Sequence, residues 1–483
     1  MDLKIQKSKE LFLLGVKHFQ NDDLLNAEKF FKESLSLTPD RISVVNNLIQ
    51  IYIKKENEKN LEKILNKIDN NNIKSFEARS GKAYLLFFKK KYDESINLLK
   101  KIKFNNINEE KFLLNLEAKV LEKKNEFDNA ELIYKKIINI SKHNPETIYN
   151  YGLFLMNINK TIEALNIFNK ILDDYKNIKN RDRIIWHKSL CLLRLKKIEG
   201  YKIYKPTLQS EKDKKIIEIK ELTKIDDLIK NPSKVLIWGD QGYGDMIMFS
   251  RFAKYITIKF NIKINLSYPK KIKELFQNFD ANINLIDENN LNLDNFDYQI
   301  RLSCLPKVIQ YKDFNNIEFY KLNLQSKSSD LQKKLPNVGL AWTGRTSYKD
   351  ENLRSIPLNY FENLLKKNIQ FYKLQKDINE NDKNLLNKYS NVIDLGNKNF
   401  LELAYAIKQL DLVISCDTAI IHLAGILNVK SYLMLNYNSH WTWFDDSKEN
   451  IWYPSVEIVR QIKNNNWNDE FAKIDVNIEQ LYV

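Results

Sequence analysis

The sequence is poor in cysteine, arginine, glycine and long apolar runs, and each shortage removes a class of answers. Three cysteines, Cys191, Cys304 and Cys416, are odd in number and far apart in 483 residues. Neither a disulfide framework nor a structural zinc site fits that usage, and a reducing, cytoplasmic setting is expected. No segment supplies about 18 uninterrupted apolar residues, so no membrane span is expected. The start, Met1-Asp2-Leu3-Lys4, lacks the apolar core and cleavage site of a signal peptide. Of 77 basic residues only 10 are Arg, and 62 acidic residues leave a formal charge of +15. Lys and Asn are used heavily throughout, which reads as compositional drift, so no nucleic-acid partner is expected. A basic face leaves room for peripheral membrane contact.

What is present belongs to a folded protein of several domains. The chain is 43% apolar, 12% aromatic and 29% charged, and its 483 residues are roughly three times a typical domain of about 150. Glycine marks a change of architecture, with four of eleven before residue 205 and seven after 235. The first part is helical by pattern. From Ser8 to Arg41 the residues Leu14, Gly15, Ala27, Phe31, Ser34 and Pro39 fall at the spacings of a tetratricopeptide repeat, two helices packed through small residues with a period of about 34. Tyr151, Gly152, Ala164 and Phe168 repeat the pattern after Pro145. Tyr52 with Leu65, Ala83 with Ser95 and Leu99, and Ala118 with Ala130 and Tyr134 keep degenerate versions between them. These residues build a solenoid, whose concave face suits a protein partner. Trp186, Leu190 and Leu193 share a helical face that ends near Gly200-Tyr201 and is expected to cap the stack. Residues 206–232 read as a connecting helix and linker.

Beyond Pro232 short β-rich runs alternate with helical stretches. Strands are expected at 235–238, 264–266, 283–286, 298–300, 338–342, 371–374, 392–394, 412–415 and 432–435. Such alternation implies parallel sheets with helical crossovers. A polar stretch at 325–330 divides the series in two, so two Rossmann-like halves facing a cleft are the economical solution, with ligands beyond the strands' carboxyl ends.

Three loops carry the candidate chemistry. In Trp238-Gly239-Asp240-Gln241-Gly242-Tyr243-Gly244-Asp245, the glycines, Gly242 and Gly244 included, let the backbone approach a ligand and turn into a helix. Asp245 would project into the cleft as a general base, the alternative being a plain tight turn. Arg345 and Arg354, two of the scarce arginines, follow the 338–342 strand, where a guanidinium can clamp a phosphate or simply remain solvated. In Ser415-Cys416-Asp417-Thr418-Ala419-Ile420-Ile421-His422, Asp417 or Thr418 would cap a helix whose free N–H groups form an anion site. His422 stands on the same face as Thr418, as a ligand-side group or as a packed side chain.

These motifs, together with Arg354-Ser355-Ile356-Pro357 and the D-T-A-x-x-H-L-A-G run from Asp417 to Gly425, resemble glycosyltransferase family 9, the heptosyltransferase-like group, over about Lys234 to Trp467. With the repeats in front, the chain is similar to bacterial TPR-containing glycosyltransferase-like proteins over nearly its whole length. The Trp441-Thr442-Trp443-Phe444 and Trp452-Tyr453-Pro454 segments also match, although they serve equally as hydrophobic packing. The resemblance implies a fold of class α + α/β, an N-terminal tetratricopeptide-repeat α-solenoid followed by a GT-B glycosyltransferase of two Rossmann-like domains. The expected divisions are 1–205 for the repeats, 206–232 for the linker, 233–330 for the acceptor side and 331–483 for the donor side.

The resemblance also implies a metal-independent, inverting glycosyltransferase, hexosyl or heptosyl in type, moving a sugar from a nucleotide-sugar donor to a glycan or protein acceptor recruited by the repeats. Asp245 would be the base. Asp417, Thr418 and His422 would hold the donor's diphosphate, with Arg354 on a phosphate where heptosyltransferases have lysine. The nucleotide sugar is a co-substrate and no cofactor is expected. No two aspartates stand two apart between Lys234 and Val483, so a D-x-D metal site is not indicated. Two alternatives are a protein O-glycosyltransferase acting on polypeptides along the repeats, by similarity of layout to the TPR-bearing O-linked N-acetylglucosamine transferases, and a non-catalytic scaffold.

Overall fold

The computed structural model describes residues 2–39, 41–67, 75–142, 144–178, 180–205, 211–239, 242–277, 279–310, 318–324, 331, 335–344, 354–445 and 450–479. The chain divides into two compact units, Met1–Tyr151 and Gly152–Val483. Its first elements are helical hairpins: α1 (Asp2–Gln20) with α2 (Leu24–Leu37), α3 (Ile42–Lys54) with α4 (Glu58–Leu65), α5 (Phe76–Phe88) with α6 (Tyr92–Leu99), and α7 (Ile107–Lys123) with α8 (Phe127–Ile140). Helix α9 (Pro145–Asn157) crosses the boundary between the units, and α10 (Thr161–Asp174), α11 (Arg181–Arg194) and the stub α12 (Gly200–Ile203) follow.

The repeat period is made by a left-handed residue at the end of every first helix. Positive φ occurs at Asp22, Glu56, Lys90, Asn125, Asn159 and Lys196, at intervals of 34 to 37 residues. After each, the next N–H reaches the carbonyl five residues back, as from Asn57 to Tyr52 (2.8 Å), Lys91 to Leu86 (2.9 Å) and Lys160 to Leu155 (2.9 Å). This is the hydrogen-bond pattern of a Schellman helix end, whose usual occupant is glycine. Here the few glycines serve close approach instead. A Cβ on Gly15 would lie 2.6 Å from the Phe31 ring, and one on Gly152 the same distance from Phe168, so the expected small-to-aromatic contacts are present. Ala27, Phe31, Ala83, Ala118, Ala130, Ala164 and Phe168 are all fully buried.

The second unit continues with α13 (Glu211–Ile216), β1 (Lys220–Glu221), α14 (Ile225–Lys230), β2 (Val235–Trp238), α15 (Tyr243–Phe260), β3 (Ile264–Tyr268), α16 (Lys270–Phe276), β4 (Ile283–Asp287), β5 (Tyr298–Arg301) and α17 (Leu305–Val308). These form a first lobe around a parallel sheet of order β1-β5-β2-β3-β4. The second lobe holds β6 (Asn337–Ala341), α18 (Glu362–Leu365), β7 (Gln370–Lys373), α19 (Glu380–Leu386), β8 (Val392–Asp394), α20 (Phe400–Ile407), β9 (Leu412–Cys416), α21 (Ala419–Ile426), β10 (Ser431–Leu435), β11 (Val456–Arg460) and α22 (Asn468–Glu479). Its sheet is also parallel, in the order β11-β10-β9-β6-β7-β8. Strands β2, β6, β9 and β10 are buried along their whole length, as central parallel strands covered on both faces must be.

All nine expected strands form, within a residue or two at their ends. Two more appear. The linker supplies β1, pairing Lys220 with Tyr298 at the edge of the first sheet, and a polar strand of two residues leaves no hydrophobic pattern to read. Strand β11 follows the Trp452-Tyr453-Pro454 segment and extends the second sheet. The division between compact units also falls inside α9 rather than near residue 205. Helices α11 and α12 give Leu193 and Tyr201 to the same buried cluster as both lobes. Arg194, nearly fully buried, donates from Nε to Asp445 Oδ1 at 2.6 Å and from Nη2 to Asn159 Oδ1 at 2.6 Å. The segment therefore packs as part of the lobes and is not a free cap. Among the described residues no helix is long and apolar enough to cross a membrane.

Because Lys90 holds φ at 59° with its side chain exposed, Lys90→Gly relieves a conformation that an L-residue adopts at a cost. The expected outcome in urea unfolding is a gain of about 0.5–1 kcal/mol for the first unit, with no gain for Lys89→Gly, which sits at the helix end with φ −74°.

Candidate functional site

In each lobe the first long strand has its successor on one side and a later strand on the other. Strand β2 lies between β3 and β5, and β6 between β7 and β9. Such a reversal opens a crevice at the carboxyl end of the sheet. In the second lobe the crevice is bounded by the residues that follow β6 and β9.

After β9 the chain passes Asp417 and starts α21 at Thr418, whose backbone is extended (φ −138°) and whose Oγ1 accepts from Ile420 N at 3.3 Å. Thr418 is the cap, so of the two expected candidates Asp417 is released for another task. Its Oδ1 lies 3.7 Å from His422 Nε2, one turn further along. Burial pushes the Asp417 carboxyl up, but His422 foremost, with Arg354 and His440, outweighs it and holds the group at about 2. Arg354 donates from Nη1 to the Asp417 carbonyl at 3.5 Å. The chain around it is pinned to the end of β6 by Ile356 N to Trp342 O (2.8 Å) and by the Thr343 and Ser355 hydroxyls, 2.9 Å apart. Gln375, just past β7, fixes that end in turn, its Oε1 accepting from Trp342 N (2.7 Å) and Thr343 N (3.0 Å). Arg345 lies outside the described residues.

In the first lobe Gly242 precedes α15 and Asp245 stands in the helix's first turn, half-buried, where its charge favours the helix dipole. It comes from the helix rather than from the end of β2. None of the described glycines has positive φ, so the glycine-rich loop owes its composition to proximity and not to a left-handed turn. The neighbour of Gly244 is in the other lobe: a Cβ there would lie 2.5 Å from His422 Cδ2 and 3.1 Å from His422 Nε2. Helix α15 thus meets α21 at the very residues singled out from sequence. Gly244, Asp245, Asp417, Thr418, His422 and Arg354 are gathered at one junction, with Gly242 one turn before Asp245.

His422 is almost wholly enclosed. Its ring stacks on Trp443 (centroids 5.2 Å apart, planes at 23°), and its Nδ1 lies 3.0 Å from the Tyr453 hydroxyl. Neither partner was assigned a role from sequence, because tryptophan and tyrosine near a strand serve packing equally well. Trp441 and Trp443 lie two residues apart in one 3-10 turn, which sends the two rings to different neighbours. Trp441 packs on Tyr201 (5.9 Å) and Phe249 (6.0 Å) while Trp443 covers His422. His440, on the same segment and exposed, joins the field around Asp417.

No family profile matches the sequence, and no curated protein matches it. Among solved structures the chain is similar to ADP-heptose lipopolysaccharide heptosyltransferase II of E. coli, with a TM-score of 0.38, 11% identity, and coverage of 51% of this chain and 98% of that one. A glycosyl transferase family 9 structure from Veillonella parvula gives 0.39 and 10%, covering 51% and 97%. A tetratricopeptide repeat protein from Parabacteroides merdae gives 0.30 and 14%, covering 42% and 82%.

Two consequences can be measured. Gly244→Ala, which in an open helix would gain about 1 kcal/mol, should here cost about 1–3 kcal/mol in chemical unfolding, since the added methyl meets an enclosed ring. A gain instead would mean that Gly244 and His422 are not in contact. The Asp417 carboxyl, held at about 2 against 3.8 in a free chain, contributes stability that is fully present above pH 4 and lost as pH falls toward 2. The stability difference between wild type and Asp417→Asn should shrink by about 2 kcal/mol across that window.

Proposed function

We propose that the chain is a glycosyltransferase that moves a sugar from a nucleotide-sugar donor to a glycan or protein acceptor, with inversion and without a metal. The observation that carries this reading is the junction of α15 and α21, where a carboxylate from one lobe stands beside the capped amino end of a helix in the other. Phosphate charge suits that helix end, whose first N–H groups lack partners within the helix, and Arg354 adds a fixed cation beside it. Thr418 shapes the turn. Asp417 acts on the diphosphate indirectly, by holding His422 and the head of α21, since its own negative charge repels phosphate.

In this reading Asp245 removes the proton of the acceptor hydroxyl as that oxygen attacks the anomeric carbon. The bond to the leaving diphosphate breaks in the same displacement, and Arg354, the α21 terminus and His422 stabilise the charge that develops there. Arg345 is assigned to phosphate binding from the sequence alone. The glycines of the 239–245 loop keep that side of the seam narrow. The helical repeats recruit the acceptor or a protein partner, and no further cofactor is required.

A thermal-shift panel of UDP, GDP, ADP, CMP and dTDP tests the donor site, since a ligand that binds only the folded state raises the melting temperature. One nucleoside diphosphate should stabilise the protein, and no shift with any of them would overturn the proposal in favour of a non-catalytic scaffold. With the matching nucleotide sugar, Asp245→Asn should lower turnover by roughly 10²–10⁴-fold while leaving the nucleotide shift intact. Undiminished turnover would remove Asp245 as the base.

A further inference from the structure

The hydrogen bond between His422 and Tyr453 decides more than the position of a ring. The two atoms, Nδ1 and the phenol oxygen, are 3.0 Å apart, and the residues are 4% and 0% exposed. A neutral imidazole fits such a contact in either of two ways: the phenol donates to a bare Nδ1, or Nδ1–H donates to the phenol. A third group discriminates between them. Asp417 sets its Oδ1 3.7 Å from the other ring nitrogen, Nε2. A carboxylate only accepts, so the imidazole proton belongs on Nε2 and the phenol donates its own proton to a bare Nδ1. Burial pushes the phenol's pKa up, and the proton is retained at every ordinary pH. The ring cannot turn away, because Gly425 lies against it so closely that a Cβ there would be 2.4 Å from Tyr453 Cγ.

We infer that Tyr453 is a positioning residue that fixes His422 with its proton on Nε2, so that a neutral imidazole presents an N–H to Asp417 and to the seam beside Gly244. The inference rests on the transferase reading for its ligand alone. A diphosphate at the head of α21 needs donors, and an imidazole with a bare Nε2 would present a lone pair to phosphate oxygens. Tyr453 at Nδ1 and Asp417 beside Nε2 together supply the donor without requiring a protonated ring. The other charged and titratable groups facing this histidine are Asp417, Arg354 and His440, and Asp245 stands beside Gly244.

The direct test is nitrogen-15 NMR of the full-length protein labelled in histidine, with His422 assigned by loss of its signals in His422→Gln. Wild type at pH 7.5 should show a bare Nδ1 and a protonated Nε2, and Tyr453→Phe should move a substantial fraction of the proton to Nδ1. A proton on Nδ1 in wild type, or an unchanged ring in the variant, overturns the inference. Neither observation needs a nucleotide, so failure here is distinct from failure of the transferase reading, which the melting panel decides.

A second arm uses the nucleoside diphosphate that the panel identifies. Tyr453→Phe should bind it roughly ten- to a hundredfold more weakly at pH 8, the loss expected for a hydrogen bond to a charged group. A variant that binds the nucleotide as tightly as wild type overturns the inference.

Discussion

The rest of the site depends on one close approach, the backbone of Gly244 lying against the imidazole of His422. Any side chain at 244 would hold the two lobes apart, and any looser packing around His422 would let its ring drift. Because the contact is made at the first turn of α15, the helix is aimed so that Phe249, Arg251 and Phe252 meet Trp441, Trp452 and Tyr453 of the other lobe. One buried cluster then runs through both lobes. The lobes are joined along an apolar face, and polar groups gather where that face ends.

That arrangement is braced by helices which the repeat pattern alone would assign elsewhere. Arg194 at the end of α11 binds Asp445 and Asn438, which lie on the segment between β10 and β11. The same segment carries Trp441 against Tyr201 and Tyr204 of the preceding helices and Trp443 against His422. A buried guanidinium with several acceptors is costly to desolvate and tolerates few arrangements, so it specifies one placement of the segment more than it adds net stability. The last helices before the lobes are in this sense part of the support of His422.

Much of this was legible in the residues. Alternating apolar runs identified nine parallel strands because buried strands of such sheets are apolar throughout, and the small and aromatic positions of the hairpins lie where a period of about 34 puts them. Asp245, Arg354, Asp417, Thr418 and His422 stood out as polar residues at loop positions after strands. What stayed hidden depends on partners distant in sequence. The need for glycine at 244 comes from a residue in the other lobe, and nothing local distinguishes it from a turn glycine. Tyr453 looks like any core tyrosine until His422 and Arg251 are placed around it. The left-handed helix ends were masked because Lys, Glu, Asp and Asn occupy positions at which glycine would have announced a turn.

The central claim is that this junction of lobes receives a nucleotide diphosphate. A crystal structure of the full-length protein with a bound nucleoside diphosphate tests it most directly. The account predicts phosphate oxygens at the head of α21, within hydrogen-bond reach of its first backbone N–H groups and of Arg354, with Asp245 facing them across the seam. Phosphates seated elsewhere, with the head of α21 and Arg354 untouched, would contradict it.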